Sequence, residues 1–174
     1  MPADLETAVR KAVRVNAPVE RAFRVFVEHM ESWWPATHHI GKTPFKAIFV
    51  EPRVGGKWYE INAEDQRCEW GTVLKWDPPH VVSFSWHLGP GHDKPDWDFD
   101  PDMSRASEVE IRFTPEAPRT TLVELTHSKL ERHGEGYEQL RALFDGPGAW
   151  GDILKLYAER ANAAEPASAA QETA

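Results

Sequence analysis

The sequence predicts an α+β fold: a curved antiparallel sheet of six to seven strands wrapped around a long C-terminal helix, with two short helices after the first strand. Three observations predict it. Strand-like runs follow one another through the middle of the 174-residue chain, joined by short turns. The segment from Pro147 to Ala163 carries Trp150, Ile153, Leu154, Tyr157 and Ala158 at helical spacings, an apolar stripe that needs a large surface to lie on. A sheet of that size has to curl, and one helix cannot fill the resulting concave face from end to end. The remainder is a concavity of the kind that holds small molecules.

Taken in order, Glu6 to Val15 sets Val9, Val13 and Val15 on one face, with Lys11 interrupting, and reads as the first strand. Asn16-Ala17-Pro18 ends it and opens a helix, since proline suits a first helical turn. Val19, Ala22, Phe23, Phe26 and Met30 recur at helical spacing, and Ser32-Trp33-Trp34-Pro35 closes the helical region. A polar loop over 38–43 leads to strands at Phe45 to Glu51, Lys57 to Asn62, Cys68 to Trp76 and Val81 to Leu88. Gly55-Gly56 permits a positive φ at the first of their turns, and Pro78-Pro79 prevents further ladder bonding at the last. Gly89 to Asp102, acidic and rich in Pro and Gly, reads as a long loop. Its Trp97 and Phe99 fit either a lid over a cavity mouth or aromatics tucked onto the body. Strands resume at Ser107 to Thr114 and Thr120 to Ser128, Tyr137 to Phe144 is a short helix, and Asp145 is the N-cap candidate for the long one. Residues 1–163 form a single domain in this reading, and the tail over 164–174 has too little apolar content to fold.

The balance of 20 Lys+Arg against 28 Asp+Glu gives a net charge of −8, which argues against nucleic acid and anionic membrane surfaces as partners. Cys68 is the one cysteine, so no intrachain disulfide can form and a reducing compartment is expected. No run approaches the roughly 20 apolar residues of a membrane helix, and the first ten residues lack a secretory core; the expected location is the cytoplasm. Exposed edge strands are compatible with a homodimer. The unusual feature is aromatic: the chain has 8 Trp and 8 Phe.

The stretches APVERAFRVFVEHMESWWP, FVEPRVGGKWYEI, CEWGTVLKWDPPHVVSFSW, SEVEIRFTPE and ELTHSKLERHGEG together resemble the START-like (SRPBCC) superfamily. Within it they are most similar to the branch named after the activator of heat-shock-protein-90 ATPase (AHSA1-like), which includes polyketide cyclase-like proteins. The resemblance runs from about Val9 to about Ala163. It implies a helix-grip fold with a hydrophobic cavity and no single activity, because members bind lipids, carry or cyclise polyketides, or assist chaperones. The chaperone activator is similar to this chain only over its second domain, and its chaperone-docking domain has no counterpart here.

Phe26, Trp34, Phe49, Trp58, Trp70, Trp86, Phe113 and Trp150 are the candidate ligand-lining residues. Core filling explains any one of them, whereas ligand lining explains the set. Strand alternation puts Trp58 and Glu60 on one face, and Glu69 on the face opposite Trp70. If Trp58 faces inward, Glu60 is a carboxylate in an apolar cavity, suited to general acid or base work. His127 shares its face with Val123 and Leu125, as either a satisfied core histidine or a second catalytic group. No cofactor is expected. His38-His39 cannot share a helical face. The series Asp96, Asp98, Asp100 and Asp102 lacks the glycine and terminal glutamate of a calcium loop, so no metal site is assigned. The leading expectation is binding of a hydrophobic or aromatic small molecule between sheet and helix. The alternatives are a cyclase- or hydrolase-like enzyme using Glu60 and His127, and a chaperone-associated role that follows from the resemblance.

Overall fold

A computed structural model of the chain describes residues 7–36, 38, 43–90 and 97–163. Strand β1 (Val9–Val15) is followed by helix α1 (Val19–Glu28), a 3-10 turn at Met30–Ser32, and strands β2 (Phe45–Val50), β3 (Lys57–Asn62), β4 (Arg67–Asp77) and β5 (Val81–Trp86). Short strands β6 (Leu88–Pro90) and β7 (Trp97–Phe99) come next, then β8 (Ser107–Ala117), β9 (Thr120–Ser128), a 3-10 turn at Leu130–His133, and helices α2 (Tyr137–Asp145) and α3 (Trp150–Asn162). The seven longer strands make one curled antiparallel sheet in the order β1-β9-β8-β5-β4-β3-β2, while β6 and β7 pair with each other as a separate ribbon. This is the α+β helix-grip arrangement expected from the sequence.

Four details differ from the sequence reading. The second short helix after β1 is a single 3-10 turn. Part of the long loop is the β6–β7 ribbon, with Leu88 opposite Phe99 and Asp100 N–H donating to the His87 carbonyl; the tip over 91–96 lies outside the described residues. Asp145 ends α2 rather than capping α3, because its carboxylate is held by Lys11 at 2.8 Å. The start of α3 is served instead by Asp152, whose Oδ2 accepts from Gly148 N–H at 2.7 Å. On the helix stripe, Trp150, Ile153, Leu154 and Tyr157 are buried, and Ala161 rather than Ala158 completes it. The proposed tail over 164–174 also lies outside the described residues.

Helix α3 is tied across its length. Lys11 of β1 runs its stem past Gly151 before reaching Asp145, which explains a lysine among valines. Tyr157 donates its hydroxyl to the Ala22 carbonyl of α1 at 2.7 Å, and Asn162 Oδ1 accepts from Asn16 N–H at 2.6 Å. Within the sheet, β4 and β5 approach very closely where a Cβ at Gly71 would lie 1.9 Å from the Ser85 carbonyl oxygen, so only glycine fits there. Strand β5 is buried on both faces. Val82, Phe84 and Trp86 look inward, while Ser83 lies under a Lys75–Glu110 ion pair that reaches across it from β4 and β8.

Candidate functional site

The inner face of the sheet and the buried side of α3 enclose a continuous set of aromatic contacts. Trp58 stands 4.4 Å from Phe84, 5.0 Å from Trp70 and 5.8 Å from Trp86, centroid to centroid. Trp34 reaches in from the chain after α1 to meet Trp58, Trp70 and Trp150 at 6.4, 5.0 and 5.8 Å. Phe26 packs on Phe113 and Tyr157 at the far end. These edge-on and tilted geometries are the favoured ones for aromatic pairs, so the rings stabilise one another as well as burying area. On the other side of Trp34, a groove of about 450 Å³ opens between Trp33, Pro35, Leu156 and Arg160.

Of the candidate lining residues, Phe26, Trp34, Trp58, Trp70, Trp86, Phe113 and Trp150 all belong to this buried set. Phe49 does not. It is 46% exposed and packs on Tyr59, because alternation along the edge strand β2 turns Ile48 inward and Phe49 out. Tyr59 in turn carries Arg67 over its ring at 3.7 Å, which makes this a solvent-side stack.

The indole N–H groups distinguish the rings from one another. Trp33 and Trp34 donate to the carbonyls of Val25 and His38, Trp86 to that of Leu88, and Trp58 to the Met30 sulfur. Trp70 and Trp150 instead donate to ionisable side chains, Trp70 Nε1 to Glu60 Oε1 at 2.9 Å and Trp150 Nε1 to His127 Nδ1 at 3.0 Å.

Glu60 and His127 are each 0% exposed, as the alternation in β3 and β9 implied. They are not a pair acting on one atom. Their strands are four steps apart in the order β9-β8-β5-β4-β3, about 19 Å along the curled sheet at ~4.8 Å per step. Trp34 lies between them, in contact with both Trp70 and Trp150.

The surroundings of His127 include two residues that sequence reasoning missed. Its Nε2 lies 2.7 Å from Ser107 Oγ, and the same oxygen lies 2.7 Å from His133 Nε2. Trp86 and Phe144 cover the His127 ring from β5 and α2. Burial pushes the His127 pKa well below the usual histidine value, and the neighbouring His133 adds to the effect. His133 is also held low by burial, with Asp100 opposing and His87 reinforcing. No local pattern could have revealed Ser107 and His133. Ser107 begins a different strand, and His133 is brought back by a turn that starts at Lys129 with φ +61°.

His87 donates Nδ1–H to the Asp100 carbonyl and accepts at Nε2 from Ser85; burial lowers its pKa, with the Asp100 hydrogen bond opposing. Asp100 and Asp102 are held by neighbours of their own. Arg105 holds the Asp100 carboxylate below the usual range, and Asp102 caps the turn at Ser104.

A curled sheet gripping a helix over an aromatic interior with two buried ionisable groups defines a small α+β protein of the helix-grip class. The chain belongs to the family of activator of Hsp90 ATPase homolog 1-like proteins, whose model matches residues 16–155. That bears out the resemblance to the START-like, polyketide cyclase-like branch. Among solved structures, an anthrahydroquino-γ-pyrone synthase, Txn09, solved as a complex, is 39% identical over 91% of this chain and 99% of its own, with a TM-score of 0.61. The self-sacrificing resistance protein CalC from Micromonospora echinospora is 26% identical over 88% of this chain and 93% of its own, with a TM-score of 0.64. Protein NE0264 from Nitrosomonas europaea, at 17% identity, 92% and 97% coverage and a TM-score of 0.61, shares the fold. No curated protein matched the sequence. Among the described residues, no helix is long and apolar enough to cross a membrane.

Proposed function

We propose that the protein binds a polycyclic aromatic small molecule of polyketide type against its tryptophan-rich interior and catalyses an acid–base ring closure on it. The observation that carries this reading is the pair of fully buried ionisable groups, Glu60 and His127, each accepting from an indole N–H that a ligand hydroxyl can replace. Burying such groups is costly, and buried ionisable groups in an apolar setting concentrate at functional sites. Similarity to a pyrone synthase supports the chemistry: an ortho-hydroxyaryl 1,3-diketone closes to a benzo-γ-pyrone with loss of one water.

In this reaction the diketone reacts as its enol: His127 Nδ1 takes the phenol proton as the oxygen adds to the enol carbon, and returns it to the enol hydroxyl as that group leaves as water and the ring double bond re-forms. Glu60 anchors the other end of the molecule through an oxygen of its ring system. The ligand would insert among Trp34, Trp58, Trp70, Trp86 and Trp150, whose rings pack on one another in the core together with Phe26 and Phe113.

Two probes test the proposal. 1,8-Dihydroxyanthraquinone should quench the tryptophan fluorescence saturably. Closure of 1-(2-hydroxyphenyl)butane-1,3-dione to 2-methylchromone, followed by absorbance, should slow by about a hundredfold in His127→Gln, which retains an acceptor for Trp150. Absence of saturable quenching, or closure no faster than in buffer, would refute the reading.

A further inference from the structure

We propose that Ser107 and His133 form a proton relay that connects the buried imidazole of His127 with the surface. This rests on the reading of His127 as the interior base, and it supplies what that reading lacks: a sealed base needs a route by which its proton equilibrates with water.

The directions of the first two hydrogen bonds in the chain are forced. An indole N–H can only donate, so Trp150 makes His127 Nδ1 an acceptor. Neutral His127 therefore carries its hydrogen on Nε2, which donates to Ser107 Oγ at 2.7 Å. The serine has one hydrogen, and it is free to point to His133 Nε2, also at 2.7 Å. Trp150, His127, Ser107 and His133 thus form an unbroken hydrogen-bonded chain from the aromatic interior to a half-buried histidine.

Burial keeps His127 neutral at pH 7, the state that the wire requires. The groups facing it are Trp86, Phe144 and Trp150, with His133 the nearest titratable neighbour; His133 itself feels Asp100 and His87. When Nδ1 gains a proton from a ligand, the Nε2 proton passes to Ser107, the serine proton passes to His133 Nε2, and the positive charge comes to rest on His133. When the ligand takes a proton back, the same transfers run in reverse and each group recovers its starting hydrogen. No proton is created or lost, and no other reactant is needed.

The test uses the free, full-length protein labelled with 15N, with no ligand, and measures exchange of the His127 Nε2 proton with water by NMR. A relay predicts that breaking the wire slows exchange. His133→Phe keeps the ring volume and should reduce the rate by at least about tenfold, as should Ser107→Ala. In His133→Ala, added imidazole should restore the parent rate. A merely structural role predicts the opposite sign, because loosening the packing speeds exchange. Equal or faster exchange in the variants, including a proton too fast to observe in all of them, overturns the relay. Slowed exchange in a protein that fails to quench with the anthraquinone would leave the relay standing and remove the ligand reading alone.

Discussion

Glu60 at the β3–β4 end of the concave face and His127 at the β8–β9 end are both sealed from solvent, and each receives one indole N–H. Their other neighbours differ. Glu60 lies among Trp58, Trp70 and the strand partner Cys68, whose thiol pKa is pushed up first by burial and then by the Glu60 charge. His127 leads through Ser107 to His133 at the edge of the body. Two ionisable groups in equally apolar settings are therefore suited to different work. In the proposed reading, Glu60 anchors the ligand and His127 exchanges its proton with water. A buried charge is informative about function only together with its path to the surface.

The comparison can be broken most severely at the β3–β4 end. Trp70→Ala removes a ring that packs on both Trp34 and Trp58 and strips Glu60 Oε1 of its indole donor, and it should cost about 3–5 kcal/mol in denaturant unfolding. At the other end, Trp150→Phe keeps the ring and deletes the N–H. It should cost about 1–3 kcal/mol and free His127 to hold its proton on either nitrogen, read as a second set of imidazole 15N shifts.

Acid sharpens the contrast. The folded pKa values of His127, His133 and His87 are all depressed, so the unfolded chain binds more protons as pH falls below about 6.5. Stability is therefore fully present above that pH and is lost on acidification. His127 alone should approach a slope of about 1.4 kcal/mol per pH unit, and urea midpoints between pH 7 and pH 5 should flatten in His127→Gln. The smallest effect is expected outside the face altogether: Phe49→Ser should change stability by no more than about 0.5 kcal/mol and leave anthraquinone binding unaltered.

The sequence made the strands, the terminal helix and the inward position of Glu60 legible because each follows from a local period. Trp58 and Glu60 alternate with Tyr59, and Trp150, Ile153, Leu154 and Tyr157 fall at helical spacing. Phe49 was misplaced because Phe45–Val50 is apolar on both faces, so its alternation does not say which side is inner; pairing at the sheet edge decides that. Asp145 looks like a cap until β1 brings Lys11 to it, 134 residues away in sequence. Ser107 and His133 were beyond reach for the same reason. They meet His127 only through the β8–β9 register and the left-handed residue Lys129. Periodicity reveals faces, whereas the site is made by contacts between elements.

The most direct measurement of where the ligand sits is a set of intermolecular NOEs between 1,8-dihydroxyanthraquinone and the labelled protein. Occupation of the interior predicts cross-peaks to the rings of Trp58, Trp86 and Trp150 and to His127. Cross-peaks confined to Trp33 and Leu156, in the groove on the far side of Trp34, would contradict it.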